Sequence, residues 1–232
     1  MTAVVDARGD REAAVTAAAA ALRGGHLVVL PTDTVYGVAA DAFDQEGTAR
    51  VFTAKQRSRR LPLPVLVRSP KQVIGLVTTV PETAERLMAA YWPGPLTIVV
   101  PADPNLTWDL GDNEGTVALR MPMDDVTLQI IREVGPLAVT SANASGQPAA
   151  RTAQDAETAL GESVLVYVDD GPRPDLAAST IVDLTREEPA IVREGAISGE
   201  EALAVARGDL GPHEVASPGE GSSDDLDDTT TG

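Results

Sequence analysis

Leu27-Val28-Val29-Leu30-Pro31-Thr32-Asp33-Thr34-Val35-Tyr36-Gly37 is the stretch of this 232-residue sequence that says most about its architecture. Its four leading apolar residues predict a buried strand. Pro31 ends that strand because proline has no N–H to donate to a sheet. Hydroxyls and a carboxylate follow at once, at the kind of strand end where open α/β sheets bind ligands. The alternative is a polar turn in which the threonines cap the backbone locally.

Strands and helices alternate along the rest of the body, which predicts an α/β (α+β) fold with helices packed on a twisted sheet. Several connections are too short for a helical crossover, so we expect a mixed sheet. The predicted helices are 10–23, 44–55, 70–77, 81–91, 124–133, 152–160 and 198–208. We expect one domain over residues 1–208, and an acidic, disordered tail over 209–232 because that segment lacks apolar periodicity.

Composition excludes several classes of protein. The chain has no cysteine, and its two histidines, His26 and His213, are far apart, which argues against a zinc site or a Ser-His-Asp triad. Six acidic residues in 212–232 account for −6 of the net charge of −17, which leaves −11 for the body. Such a body is a poor match for a nucleic-acid backbone. No apolar run approaches 18 residues and no signal sequence is apparent, so we expect a cytoplasmic protein that does not enter membranes.

Two polar groups stand out beyond the first stretch. Lys55 and Arg57 belong to a basic cluster at the end of a predicted helix, although a helix C-terminus also favours cations through its dipole. Ser141 and Asn143 follow a short predicted strand, although this pattern is also typical of an ordinary Asx-rich turn.

Three further residues lie in or beside predicted strands: Arg120, Ser179 and Arg193. An arginine inside an apolar run needs a partner. For Arg120 that partner is either a ligand or a carboxylate, with Asp33 and Asp183 as candidates. Cations, hydroxyls and an amide without an acid–base couple suit the binding and orientation of phosphoryl groups. No Walker sequence is present, so side-chain cations would have to hold a triphosphate.

The chain resembles the YrdC-like family, and the resemblance covers roughly residues 20–200. Each motif alone is weak, but eight of them occur in the family's order. They are 31–37 (PTDTVYG), Lys55-x-Arg57, 62–65 (PLPV), 92–97 (WPGPLT), 119–122 (LRMP), 140–146 (TSANASG), 179–183 (STIVD) and 192–195 (VREG).

The resemblance implies a YrdC/RibB-like fold around a concave cavity, and it implies a reaction. Members make threonylcarbamoyl-AMP and pyrophosphate from L-threonine, bicarbonate and ATP, with Mg²⁺ accompanying ATP. The product passes to a tRNA threonylcarbamoyl-transferase complex, which modifies the adenosine beside the anticodon. No direct nucleic-acid binding is implied. The chain looks like the short, single-domain form of the family.

The resemblance also implies roles for individual residues. Lys55, Arg57, Ser141 and Asn143 would form the catalytic tetrad that handles the triphosphate. Thr32, Arg120 and Ser179 would surround the threonine, and Arg193 would lie on the ATP side. No residue is implied as a ligand to a resident metal ion.

Two other functions stay open from the sequence. The first is an RNA-binding or ribosome-assembly factor that uses the cavity as a basic groove. The acidic body and the 3% aromatic content argue against it. The second is a nucleotide-binding relative that has the fold but lacks the synthase activity.

Overall fold

The computed structural model describes residues 2–173 and 177–212, and within them the chain forms one sheet of ten strands. The strands are β1 (Ala3–Asp6), β2 (Val28–Leu30), β3 (Gly37–Asp41), β4 (Val65–Leu66), β5 (Leu96–Pro101), β6 (Thr116–Arg120), β7 (Leu137–Ser141), β8 (Val166–Asp169), β9 (Thr180–Asp183) and β10 (Ala190–Arg193). Their order in the sheet is β1-β8-β2-β3-β7-β4-β6-β5-β9-β10.

The pairing of neighbouring strands confirms the predicted mixed sheet. β8 is parallel to both β1 and β2, β4 is parallel to β6, and β5 is parallel to β9. The other neighbours are antiparallel, including β3 with β7 and β5 with β6. A short predicted connection that excluded a helical crossover, the one from β9 to β10, joins antiparallel neighbours.

The helices are α1 (Arg11–Arg23), α2 (Gln45–Lys55), α3 (Pro70–Val73), α4 (Glu82–Tyr91), α5 (Asp125–Val134), α6 (Ala153–Leu160) and α7 (Gly199–Arg207), with one 3₁₀ turn at Gly161–Ser163. Most begin where a side chain caps them. Asp10 and Asp124 accept hydrogen bonds from the backbone N–H three residues on, and Thr152 forms a capping box with Asp155. The prediction for 70–77 was too long, since α3 ends at Val73 and Ser69 makes no side-chain cap.

Two strands were not predicted. β1 has a largely exposed pattern at one edge of the sheet, so it lacks the apolar alternation by which strands are recognised. β3 has the sequence GVAAD, whose glycine and alanines are poor strand formers, and yet four of its five residues are buried. Gly37 is required there because a Cβ would lie 2.5 Å from Cγ1 of Val139 on β7.

The two faces of the sheet are covered by helices to different extents. One face and helices such as α2, α4, α6 and α7 enclose the larger core. On the other face, α1 and α5 enclose a smaller core with strands from β8 to β4. Toward the other edge that second face is only half-buried, at residues such as Val99, Thr116, Ala118 and Ile181. This open part of the sheet is where the predicted cavity would lie, and the cavity itself stays a prediction.

The last helix ends where the sequence predicts it to end, while the domain boundary beside it stays a prediction. Gly208 ends α7 in the left-handed conformation, and Leu210 still packs against the larger core. The predicted disordered tail lies, from residue 213 onward, outside the described residues. None of the helices within 2–173 and 177–212 is long and apolar enough to cross a membrane.

Tyr36 anchors the loop after β2 to a distant segment of the chain. Its ring is fully buried, and its hydroxyl donates to the carbonyl of Gly171 (2.6 Å) and accepts from the N–H of Asp170 (3.1 Å). The guanidinium of Arg173 lies over the ring, 5.5 Å from its centroid. This contact holds the 169–173 segment against the loop.

We therefore expect Tyr36→Phe to lower the free energy of unfolding by about 1–3 kcal/mol, because it leaves buried backbone groups without their partner. Urea denaturation followed by circular dichroism measures the loss. Tyr167→Phe is the matched control, since Tyr167 is equally buried but its hydroxyl bonds only the carbonyl of Gly161 among the described residues. A Tyr36→Phe protein no less stable than Tyr167→Phe would contradict this anchoring role.

Candidate active site

The loop between β2 and β3 uses one of its hydroxyls for its own structure. Thr32 Oγ1 donates to the carbonyl of Val35 (2.6 Å) and accepts from the N–H groups of Thr34 and Val35 (both 3.2 Å). Its single hydroxyl hydrogen is therefore already used within the loop. This is the local capping that was the alternative interpretation of the stretch, and a contact between Thr32 and a substrate stays a prediction.

Arg120, the last residue of β6, reaches this loop. It forms a nearly buried ion pair with Asp33, and it donates to Thr34 Oγ1 (3.3 Å) and to the carbonyl of Gly94 (3.0 Å). Burial lowers the pKa of Arg120, and the neighbouring carboxylate opposes that shift. Of the two candidate partners, the structure selects Asp33 over Asp183. The other oxygen of this carboxylate, Asp33 Oδ2, is buried and accepts no hydrogen bond from the described residues.

Lys55 ends α2 and is brought directly to the loop after β7. Its ammonium group, on a side chain that is almost fully buried, donates to the carbonyls of Ser141 and Asn143 and lies 3.4 Å from Asn143 Oδ1. A backbone hydrogen bond joins the same two segments, since Ser145 N–H donates to the carbonyl of Lys55 (3.1 Å). The Asn143 side-chain amide donates to the carbonyl of Gln147 (2.6 Å), which fixes the turn.

Burial, and after it the nearby positive charge of Arg57, lowers the pKa of Lys55 to about 8. Arg57 is half-buried, and burial lowers its pKa as well. Its guanidinium donates to the carbonyls of Leu61 (2.8 Å) and Pro62 (3.2 Å), so its position is fixed by its own loop. Two cations are thus held close together, and an anionic ligand bound between them would reduce their repulsion.

Ser179 and Arg193 form a third contact, at the start of β9 and the end of β10. The guanidinium of Arg193 donates to the Ser179 carbonyl (2.8 and 3.1 Å) and to Ser179 Oγ (3.0 Å). Thr97 Oγ1, on β5, lies 2.9 Å from the same Oγ. The backbone that follows β10 passes close to Ser179, and only a glycine fits there. A Cβ at Gly195 would lie 2.5 Å from the carbonyl carbon of Ser179.

The loop after β2 joins these groups. Its Asp33 and Thr34 bind Arg120, while its Tyr36 carbonyl accepts from the N–H of Ala142, between the two tetrad residues of the β7 loop. Arg120 is also close enough to Arg193 that its charge adds to the lowering of the Arg193 pKa, after burial itself. The structure therefore links the Lys55 group to the Arg120 and Arg193 group through one short loop.

Sequence reasoning named most of these residues as candidates but gave Thr97 no role, although Thr97 is the last residue of motif 92–97. A buried threonine in a strand is ordinary, since β-branched residues favour strands, so nothing beyond that motif singles it out. Within the described part of the chain, no group of three or more His, Asp or Glu side chains is arranged to hold a metal ion. What the arrangement offers chemically is fixed positive charge beside hydroxyl groups, which suits an anionic ligand.

Comparison with known proteins shows which family the chain resembles. A family model for Sua5, YciO and YrdC, described as "Telomere recombination", matches residues 20–195. A protein of Mycobacterium leprae that is provisionally named threonylcarbamoyl-AMP synthase is 53% identical over 189 residues, which are 82% of this chain and 86% of that protein. The threonylcarbamoyl-AMP synthase of Pyrococcus abyssi is 35% identical over 203 residues, covering 87% of this chain and 60% of its own length.

A solved structure supports the same conclusion. The crystal structure of P. abyssi Sua5 complexed with L-threonine superposes with a TM-score of 0.82 at 34% identity, over 88% of this chain and 60% of that one. This chain thus spans about three fifths of the length of that protein. The predicted fold and the predicted family are confirmed: the chain belongs to the Sua5/YciO/YrdC family.

Proposed function

We propose that this protein catalyses the formation of threonylcarbamoyl-AMP and pyrophosphate from L-threonine, bicarbonate and ATP. The observation that carries the proposal is the buried ammonium of Lys55, held by the loop of Ser141 and Asn143 and placed beside Arg57. The names of the relatives support the choice of product. The relative whose structure contains L-threonine supports the choice of amino acid.

In the proposed reaction the amine of threonine condenses with bicarbonate to give a carbamate and water, and a carbamate oxygen then attacks the α-phosphorus of ATP. A new O–P bond forms, the bond from the α-phosphorus to the bridging oxygen breaks, and pyrophosphate leaves. Negative charge grows on phosphoryl oxygens, so preorganised cations are the expected catalysts. Lys55 would supply a point charge, and Arg57 has a planar fork that can bind two oxygens.

We assign the other site residues to the two ends of the substrate pair. Arg120 and Ser179, with the loop of Thr32, would bind threonine, and Arg193 would lie between them and the nucleotide. Mg²⁺ would arrive with ATP as part of that substrate. The product would pass to a tRNA threonylcarbamoyl-transferase complex in the cytoplasm.

An RNA-binding role is favoured less by the structure. The cations that define the site are largely buried and face protein carbonyls or Asp33, whereas an RNA-binding groove presents exposed cations to phosphates. The direct test of the proposed activity is pyrophosphate release from ATP, measured with and without threonine and bicarbonate. We expect release only when all three substrates are present. Pyrophosphate release that does not depend on threonine would indicate a nucleotide-binding relative with another activity.

We expect Lys55→Ala to lower threonine-dependent pyrophosphate release about 10²–10³-fold, because it removes a cation aimed at developing negative charge. The carbonyls of Ser141 and Asn143 also lose a donor, so the melting temperature should fall, and turnover is therefore compared well below it. Lys71→Ala is the matched control, since Lys71 is the chain's other lysine and is exposed on α3. Near-normal turnover by a folded Lys55→Ala protein would remove Lys55 from the catalytic set.

ATP affinity should fall as pH rises, because a Lys55 pKa of about 8 means that the ammonium is mostly neutralised above that pH. Between pH 7 and pH 9 the charged fraction of such a group falls about tenfold, so the Kd for ATP should rise about tenfold. Calorimetric titration at both pH values measures this change. Lys55→Ala should bind ATP weakly at both, and an equally steep pH dependence in that variant would show that another group titrates.

A further inference from the structure

Two buried hydroxyls face each other at the open part of the sheet. Thr97 and Ser179 are 4% and 6% exposed, and their Oγ atoms lie 2.9 Å apart. The strands enforce this contact, because Leu96 pairs with Thr180 in the parallel ladder between β5 and β9. The same part of the sheet holds Arg120, since Ile98 pairs with Leu119 and Arg120 is therefore opposite Thr97 on the same face.

The two hydroxyl groups carry one more hydrogen than the described residues around them accept. Two hydroxyls carry two hydrogens, and the bond between them uses one, whichever oxygen is the donor. Arg193 Nη2 is 3.0 Å from Ser179 Oγ, and a guanidinium can only donate, so it occupies a lone pair of that oxygen. Among the described residues no atom accepts the second hydroxyl hydrogen. One buried hydroxyl hydrogen is thus available for a ligand.

The surroundings specify what kind of ligand atom would accept it. Arg193 and Arg120 are both close to the pair, and the charge of Arg120 adds to the effect of burial in lowering the Arg193 pKa. Of the two, only Arg120 has a carboxylate partner, Asp33, in the described part of the chain. A donor hydrogen between two guanidinium groups selects an anionic oxygen, and two guanidiniums with a hydroxyl match a carboxylate.

We propose that the hydroxyl pair donates this hydrogen to a carboxylate oxygen of the amino-acid substrate, with Thr97 as a positioning residue. Thr97 donates to the free lone pair of Ser179 Oγ, so that Ser179 can act toward the substrate only as a donor. This assignment rests on the proposed function, because the carboxylate it binds is that of threonine. It adds to the site a residue that never needs to touch the reacting atoms.

The test is the affinity of Thr97 variants for each substrate, measured by calorimetric titration of the full chain with L-threonine and, separately, with ATP. Thr97→Val keeps the shape and removes the hydroxyl, and it should raise the Kd for threonine about 5- to 50-fold. Thr97→Ser restores the hydroxyl and should be within about twofold of the wild type. Both variants should leave the Kd for ATP within about twofold, because the nucleotide is not expected to contact the hydroxyl pair and effects at separate positions are nearly independent.

Thr48→Val is the matched control, because Thr48 is also fully buried but its hydroxyl donates to the carbonyl of Gln45, away from the site. Its threonine affinity should not change. Thr97→Ala is a second variant without a hydroxyl and should weaken threonine binding as Thr97→Val does.

Three results would overturn the proposal: unchanged threonine affinity in Thr97→Val, equal weakening in Thr97→Ser, or weakening of ATP binding in place of threonine binding. The first would show that the hydroxyl is not used, the second that only packing matters, and the third that the donor faces the nucleotide. Failure of the proposed function is seen separately, as a wild-type protein that releases no pyrophosphate in the presence of threonine and bicarbonate.

Discussion

The buried ion pair between Arg120 and Asp33 connects the two halves of the sheet. In the plane of the sheet those halves are joined by β4, a strand of only two residues that pairs with β7 on one side and β6 on the other. Arg120 crosses this narrow region and fixes the loop after β2 to the end of β6. Burying two charges costs desolvation energy that their attraction rarely exceeds. A hydrophobic pair would hold the sheet as well, so we interpret the charges as serving the site that both residues border.

The site is preorganised by protein groups that accept from its cations. Carbonyl oxygens surround Lys55 and Arg57, a carboxylate and a carbonyl hold Arg120, and a carbonyl and a hydroxyl hold Arg193. Because each cation is fixed by partial negative charge, it needs little reorganisation when an anion binds. Burial of these cations has a cost, which is seen as lowered pKa values, most clearly at Lys55. The same positions could not be taken by flexible, exposed lysines without losing this rigidity.

The sequence predicted the helices well because their boundaries are local. Cap residues such as Asp10 and Thr152 act on backbone groups two or three residues away, so the chain shows them directly. β3 was missed because its burial depends on neighbours that are distant in sequence. The motifs predicted Lys55 to lie near Ser141 and Asn143, and the structure places them in contact. They could not show that Thr32 uses its hydroxyl within its own loop, or that Thr97 faces Ser179, since both depend on three-dimensional distances.

The strand order has a consequence for how the chain reaches its native state. β8 lies between β1 and β2, and β7 lies between β3 and β4, so strands made late in synthesis fill places between strands made early. Within the described residues, neither half of the chain can therefore complete its part of the sheet without strands from the other half. Such non-local pairing delays folding, because loop-closure entropy is lost before contacts compensate for it. During synthesis on the ribosome, the nascent chain would expose the unpaired edges of β1 and β2 until residues 166–169 emerge, and at that stage it would depend most on chaperones.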